Sequence, residues 1–267
     1  MSYWDSLDPK YRLILCDVWG VVHDGVNLYP GAEPRLRQWR GEGRCVALLT
    51  NAPRTAEAVG HQLARIGLPR EAFDFVATSG EAGIEALNAL DQPVGFVGTT
   101  GDRDILEGRG VRIADAGDFT DLACTGLEEG RPDPKDYLAD LERWATRDMH
   151  MHCLNPDRLV IRGGVPEPCA GAIADLYQGL GGRVTWYGKP HPAIYAHALH
   201  RAGDPPRQQV LAVGDGLQTD ILGAARLGFD TVFVSGGINR GEPFPQDFAA
   251  QNGLGDWRPV AVVDGLA

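Results

Sequence analysis

Apolar positions along the chain fall into two patterns. Unbroken runs occur at 13–16, 45–49, 184–187 and 210–213. Apolar runs without polar alternation suit strands buried on both faces, as in a parallel sheet. Between them lie segments with helical periodicity, which predict helices over 32–40, 54–66, 81–90, 134–146, 169–180, 192–202 and 220–227. Several are closed by Gly or opened by Pro, the expected punctuation. Shorter strands are predicted at 75–78, 94–97, 111–113, 122–125, 149–154, 231–234 and 260–263, and 239–258 reads as loop. Strand and helix alternate almost throughout, which implies an α/β fold with a parallel sheet.

These four runs end in reactive chemistry. The first ends in Asp17, the second in Thr50-Asn51, the third in Gly188-Lys189 and the fourth in Gly214-Asp215. A carboxylate closing a buried strand is costly unless it has a partner or a task. In open α/β sheets, ligands bind outside the carboxyl ends of the strands. A carboxylate, a hydroxyl, an amine and a second carboxylate would then meet at one edge, a set that fits a phosphate held with a hard cation. Asp17 and Asp215 offer the oxygen donors that Mg²⁺ prefers. Thr50 and Asn51 offer a hydroxyl, an amide and the N–H groups of a strand-to-helix turn. Each has a plainer reading alone: an ion pair for Asp17, a turn for Thr50-Asn51, a solvated charge for Lys189 and a helix-start charge for Asp220. Four agreeing strand ends outweigh those readings. Because they lie in both ends of the chain, residues 1–78 and 184–267 read as one domain, with 79–183 inserted as a second α/β domain.

Charge and cysteine usage narrow the partners. The 267 residues carry a net charge of −11, with an isoelectric point near 5.0. That disfavours nucleic acid or anionic membrane as the main partner. Self-association stays open. The five cysteines are scattered, with no C-x-x-C pair, so neither a disulfide framework nor a structural zinc site is expected from them. Residues 1–10 lack a signal-peptide pattern and no apolar run approaches the ~20 residues of a membrane span, so a cytoplasmic protein is expected. The glycine-rich stretch 95–101 has the wrong spacing for a dinucleotide loop and reads as a turn. His150 and His152 would share one face of a strand beside Cys153. A metal site there is the sharper reading and a polar strand face the preferred one.

Gly20-Val21-Val22, Thr50-Asn51, Asn155-Pro156-Asp157, Gly188-Lys189-Pro190 and 214–220 together resemble the haloacid dehalogenase superfamily, class IIA branch, which includes nitrophenylphosphatase-like and pyridoxal-phosphatase-like enzymes. The resemblance spans nearly the whole chain. It implies a doubly wound, Rossmann-like core with an inserted α/β cap, acting as a Mg²⁺-dependent phosphohydrolase on a small phosphorylated metabolite. By it, Asp17 is the nucleophile that forms an aspartyl-phosphate, while Thr50 and Lys189 stabilise the phosphoryl oxygens. Asp17, the Trp19 carbonyl, Asp215 and Asp220 belong to the Mg²⁺ site, and Gly20 and Asn51 to the substrate site. Arg158 and Arg162, near the Asn155 turn, are candidate contacts to an anionic substrate, with solvated surface charge as the equal alternative. One position departs from the family. Two residues after the nucleophile, where an Asp normally acts as acid and base, stands Trp19; His23 and Asp24 are the nearest possible replacements in sequence. A non-catalytic phosphate-ester binder on the same fold is the rival function, and a nucleotide-cofactor oxidoreductase, resting on 95–101, the third.

Overall fold

The computed structural model describes residues 2–114, 119–162, 165–237 and 242–267. Its strands are β1 (Leu13–Asp17), β2 (Cys45–Thr50), β3 (Phe75–Thr78), β4 (Gly95–Val97), β5 (Asp121–Cys124), β6 (His150–Cys153), β7 (Leu159–Arg162), β8 (Val165–Pro168), β9 (Arg183–Trp186), β10 (Val210–Gly214), β11 (Asp230–Val234) and β12 (Ala261–Val263). The helices are α1 (Ala32–Gly41), α2 (Ala56–Arg65), α3 (Ser79–Asn88), α4 (Thr100–Gly108), α5 (Leu138–Thr146), α6 (Ala170–Gly179), α7 (Pro192–Arg201), α8 (Leu222–Arg226) and α9 (Phe248–Gln251). The chain divides into two compact units, one of residues 1–50, 56–77 and 189–267, the other of 51–55 and 78–188.

The first unit holds a six-stranded sheet in the order β12-β11-β10-β1-β2-β3. β1 lies at its centre, parallel to both β10 and β2. All five β1 residues are buried, as an apolar run in a two-faced sheet requires. Leu13 and Leu15 pack with Ile194, Tyr195 and Ala198 of α7, while Ile14 and Cys16, which alternate with them, are equally inaccessible. From β1 the chain winds outward through β2 and β3. After the second unit it restarts at β10 on the other side of β1 and winds outward through β11 and β12. The strand order therefore reverses between β1 and β10, which makes their carboxyl ends the crevice of a doubly wound sheet. Asp17 and Asp215 sit at those two ends.

The second unit has a parallel sheet in the order β4-β5-β6-β9 and an antiparallel hairpin, β7–β8. Leu122, Cys124, Met151 and Cys153 pack against Tyr137, Leu141, Ile173 and Tyr177. Here the structure corrects the expected boundary. β9 pairs with β6, not with the first sheet, so the run at 184–187 is an edge strand of the insertion and the return to the first unit comes at Lys189. Its residues are only partly buried, which an apolar count does not reveal. Residues 51–55 go with the second unit because Ser79 Oγ donates to the carbonyls of Asn51 (2.7 Å) and Leu154 (2.6 Å), and Thr78 Oγ1 to that of Arg54 (2.7 Å).

Other differences are local. The glycine stretch 95–101 is β4 followed by the start of α4, capped by Thr99. A Cβ on Gly95 would lie 2.2 Å from the Phe119 ring and one on Gly98 2.0 Å from Thr125 Oγ1. Side-chain packing thus uses these glycines, as the turn reading expects. The hairpin β7–β8 was not foreseen, because Pro166 and Pro168 dilute its strand signal. The predicted loop 239–258 contains the short helix α9, and its residues 239–241 lie outside the described ones.

Arg44 pins the approach to β1. Its guanidinium is buried and donates to the carbonyls of Leu7 (3.0 Å), Asp8 (2.9 Å) and Tyr11 (2.8 Å). Substitution by Met keeps the bulk and leaves those acceptors unmet. At roughly 1–3 kcal/mol for an unsatisfied buried group, Arg44→Met is expected to lower the unfolding free energy by about 2–4 kcal/mol. Urea unfolding measures this; a midpoint equal to wild type would show that the segment before β1 does not depend on Arg44.

Candidate active site

β1 and β10 run side by side and deliver Asp17 and Asp215 from adjacent carboxyl ends. After β10 the chain enters a turn of π-helix, Leu217–Ile221, that leads into α8. This turn brings Asp220 back beneath the strand end. One carboxylate oxygen from each of Asp17, Asp215 and Asp220 lies within 4.8 Å of the others, and all three side chains are buried. Such a π turn begins three residues before the helix start read from the sequence at Asp220, because the wider turn is what folds that carboxylate inward.

Lys189 stands among them, only 4% exposed. Its ammonium donates to Asp17 Oδ1 at 2.5 Å, to Asp220 Oδ1 at 2.7 Å and to the Leu49 carbonyl at 3.2 Å. Leu49 is the register partner of Asp17 and precedes Thr50, so the ammonium ties the ends of β1 and β2 to the π turn. Asp220 is engaged through both oxygens: Oδ2 accepts from Gly216 N–H (3.1 Å) and Thr219 Oγ1 (3.2 Å). Its geometry is that of an anchor for Lys189 as well as a member of the acidic group.

Among the described residues, three buried carboxyl groups crowd around one ammonium. Burial, then the charges of Asp220 and Asp215, push the Asp17 carboxyl well above its usual range against the pull of Lys189. Lys189 is pushed upward, because the attraction of Asp17 and Asp220 outweighs its burial.

Glycines shape the room around Asp215. Gly20 has φ +92°, and a Cβ on it would stand 2.0 Å from Asp215 Oδ2; one on Gly237 would stand 1.9 Å from the same oxygen. Gly20, expected from the resemblance near substrate, thus packs directly on a site carboxylate. Gly214 makes the same allowance for Asp220, with a Cβ only 2.2 Å from that residue's own.

Trp19 is 49% exposed, and its indole edge runs beside Gly25. The neighbouring loop is tightly tied. Gly25 N–H donates to His23 Nδ1 at 2.8 Å, which leaves the ring neutral with its proton on Nε2. Burial, partly opposed by Asp24, lowers the His23 pKa further. Asp24 Oδ1 accepts from Val26 N–H (2.9 Å) and Asn27 N–H (2.7 Å), an Asx turn. Those two hydrogen bonds hold its carboxyl below the usual range.

Of the residues chosen from sequence, the structure gathers Asp17, Gly20, Lys189, Asp215 and Asp220, with Thr50 at the adjacent strand end. Asn51, Arg158 and Arg162 belong to the second unit. The Asn51 amide donates to Asp157 Oδ1 at 2.9 Å, which ties the two motif turns together. Arg158 forms a two-point pair with Asp175, Nε to Oδ2 at 2.5 Å and Nη2 to Oδ1 at 3.0 Å; the sequence held no sign of that partner. Arg162 lies on β7 with its side chain outside the described residues. Four residues escaped sequence reasoning: Gly237, Gly216, Thr219 and Tyr195. Gly216 and Thr219 lie inside the 214–220 motif and could have been found there. Tyr195, whose hydroxyl donates to the carbonyls of Thr219 (3.4 Å) and Asp220 (3.3 Å), carries no sequence signal beyond a place on an apolar helix.

Known proteins place this geometry in a family. The model for haloacid dehalogenase-like hydrolases matches residues 14–112, and a second, HAD-hydrolase-like model matches 186–267. A crystal structure of a haloacid dehalogenase-like hydrolase from Brucella suis 1330 is 33% identical, covers 98% of both chains and superposes with a TM-score of 0.82. The ribonucleotide monophosphatase NagD of Escherichia coli K12 is 29% identical over 232 residues, 85% of this chain and 88% of NagD. Human chronophin is 26% identical over 277 residues, 95% of this chain and 90% of its own. Matched at both ends of the chain, and at 33% identity along nearly all of it, the protein belongs to the haloacid dehalogenase-like hydrolases.

Proposed function

We propose that this protein is a Mg²⁺-dependent phosphatase that hydrolyses a small phosphate monoester through an aspartyl-phosphate on Asp17. The observation that carries this reading is the convergence of buried carboxylate oxygens from Asp17, Asp215 and Asp220 within 4.8 Å of one another. These ligand atoms are all oxygen, which suits a hard divalent cation. The names of the relatives, a ribonucleotide monophosphatase among them, support a phosphate monoester. Asp17, Asp215 and the Trp19 carbonyl would hold the ion, with Asp220 behind them. When bound, the ion supplies Lewis-acid polarisation of the phosphoryl oxygens.

The chain's own residues do the rest. Asp17 attacks phosphorus, its oxygen–phosphorus bond forms as the ester oxygen departs, and water then cleaves the acyl phosphate. Lys189 orients Asp17 through the 2.5 Å hydrogen bond and offsets the charge of the phosphoryl oxygens. Asp220 positions Lys189. Thr50 offers its hydroxyl from the next strand end. Trp19 has no acidic proton to give a leaving alkoxide. Neither neighbour is a ready replacement: His23 is neutral and bound through Nδ1, and Asp24 is ionised and spent on its turn.

Asp17→Asn removes the nucleophile but keeps the shape. Release of 4-nitrophenol from its phosphate ester should fall to background in this variant, and chelation should do the same to wild type. Near-wild-type turnover in Asp17→Asn would defeat the mechanism. Saturable phosphate binding by wild type with no turnover would make the protein a binder instead.

General acid–base assistance is typically worth ~10²–10⁴-fold. In a leaving-group series, wild-type rates should therefore depend steeply on leaving-group acidity, and Trp19→Asp should raise alkyl phosphate turnover within that range. His23→Ala should lower the melting temperature, because the turn loses the acceptor for Gly25 N–H, and leave the slope unchanged. A slope that changes in His23→Ala would assign it the acid role.

Gly20→Ala would push a methyl onto Asp215 and strain a left-handed backbone. The Mg²⁺ concentration for half-maximal activity should rise several-fold. An unchanged requirement would remove Asp215 from the ion's ligands.

A further inference from the structure

The second unit carries its own group of polar side chains at one end of its parallel sheet. Asp121 opens β5 and His150 opens β6, directly in register. His152 follows two residues later on the same face. Thr185 on β9, the register partner of His152, and Tyr187, just after that strand, flank the pair. The proposed hydrolysis uses none of these residues.

Their spacing is informative. Asp121 Oδ1 lies 2.9 Å from His152 Nε2 and 3.5 Å from His150 Nδ1. One ligand atom from each of the three residues lies within 4.8 Å of the others. A separation of 3.5 Å is long for a hydrogen bond. It is close to the gap of about 3.3–3.4 Å between two ligands of one tetrahedral cation with bonds of about 2.0–2.1 Å. The far side of each ring is also provided for: His150 Nε2 meets Thr185 Oγ1 at 2.8 Å, and His152 Nδ1 meets Tyr187 Oη at 2.7 Å. A hydroxyl that accepts the outer ring N–H leaves the inner nitrogen with a lone pair aimed at Asp121. That is the outer-shell arrangement that orients metal-binding histidines.

We propose that Asp121, His150 and His152 form a binding site for a Zn²⁺-class transition-metal cation, distinct in chemistry from the all-oxygen site at Asp17. Two imidazoles and one carboxylate favour Zn²⁺ over Mg²⁺. His152 is nearly inaccessible, while Asp121 and His150 keep side-chain exposures of 22% and 27%, so a fourth ligand would be water. Bound there, the cation joins β5 to β6. The competing arrangement is a hydrogen-bonded relay without metal, in which Tyr187 donates to His152 Nδ1 and His152 Nε2–H donates to Asp121.

Calorimetric titration of the metal-stripped 267-residue chain with Zn²⁺, in a large excess of Mg²⁺ to occupy the acidic site, decides between them. One equivalent of Zn²⁺ is expected to bind, and Co²⁺ in its place should show the intense visible absorption of a four-coordinate site. His150→Ala should weaken Zn²⁺ at least tenfold and abolish the Co²⁺ spectrum. Tyr187→Phe, which loses only the outer-shell hydroxyl, should weaken it by about 10–100-fold. Zn²⁺ should raise the melting temperature of wild type and not of His150→Ala. Absence of Zn²⁺ binding, or binding that His150→Ala leaves unchanged, overturns the proposal in favour of the relay. His150 is partly exposed, so its variant decides the matter even where His152→Ala does not fold.

Discussion

The contact on which the first unit's site depends is the Lys189 ammonium seated between Asp17 and Asp220. Removing a charge from water costs several kcal/mol unless it is paired and hydrogen-bonded. Lys189 meets that condition with two carboxylates and the Leu49 carbonyl. The same three contacts join the ends of β1 and β2 to the π turn after β10. Lys189 is also the first residue of the chain's return to this unit. The residue that closes the long excursion of the chain is therefore the one that holds the carboxylates together.

Crowding follows from that arrangement. Three buried carboxylates cannot approach within 4.8 Å unless the backbone around them gives way. Gly20, Gly214, Gly216 and Gly237 supply the space, each where a Cβ would fall 1.9–2.2 Å from an atom of Asp215, Asp220 or Thr219. A preorganised cluster of like charge is unfavourable for folding and favourable for capturing a cation. Such local conflict with stability is characteristic of functional sites. Trp19, two residues after Asp17, contrasts with the buried acids in being a large, half-exposed aromatic side chain.

The second unit repeats a parallel α/β plan with different chemistry on its strands. The carboxylate group of the first unit lies at the carboxyl ends of its strands, as a doubly wound sheet favours. Asp121 and His150 instead open their strands. Nitrogen donors there and oxygen donors at Asp17 would sort two classes of cation between two units of one chain.

Sequence by itself determined the α/β class, the buried central strands and the residues at their ends, because unbroken apolar runs and strand-closing polar residues are local features. Asp17, Thr50 and Asp215 were readable in this way, Lys189 only as part of its motif because the run before it joins the other sheet, and the ordered motifs were enough to indicate the family. Only tertiary structure decided which sheet each strand joins. The run at 184–187 looks like core and pairs as an edge strand of the insertion, since pairing depends on long-range register that apolar content does not encode. Partner choice was equally hidden. Arg158 pairs with Asp175, the Asn51 amide with Asp157, and Tyr195 reaches the π turn, each across a separation for which no periodicity exists. The role of Gly237 is the clearest case: an ordinary loop glycine in sequence, it leaves room for Asp215 only because folding brings the two within contact distance.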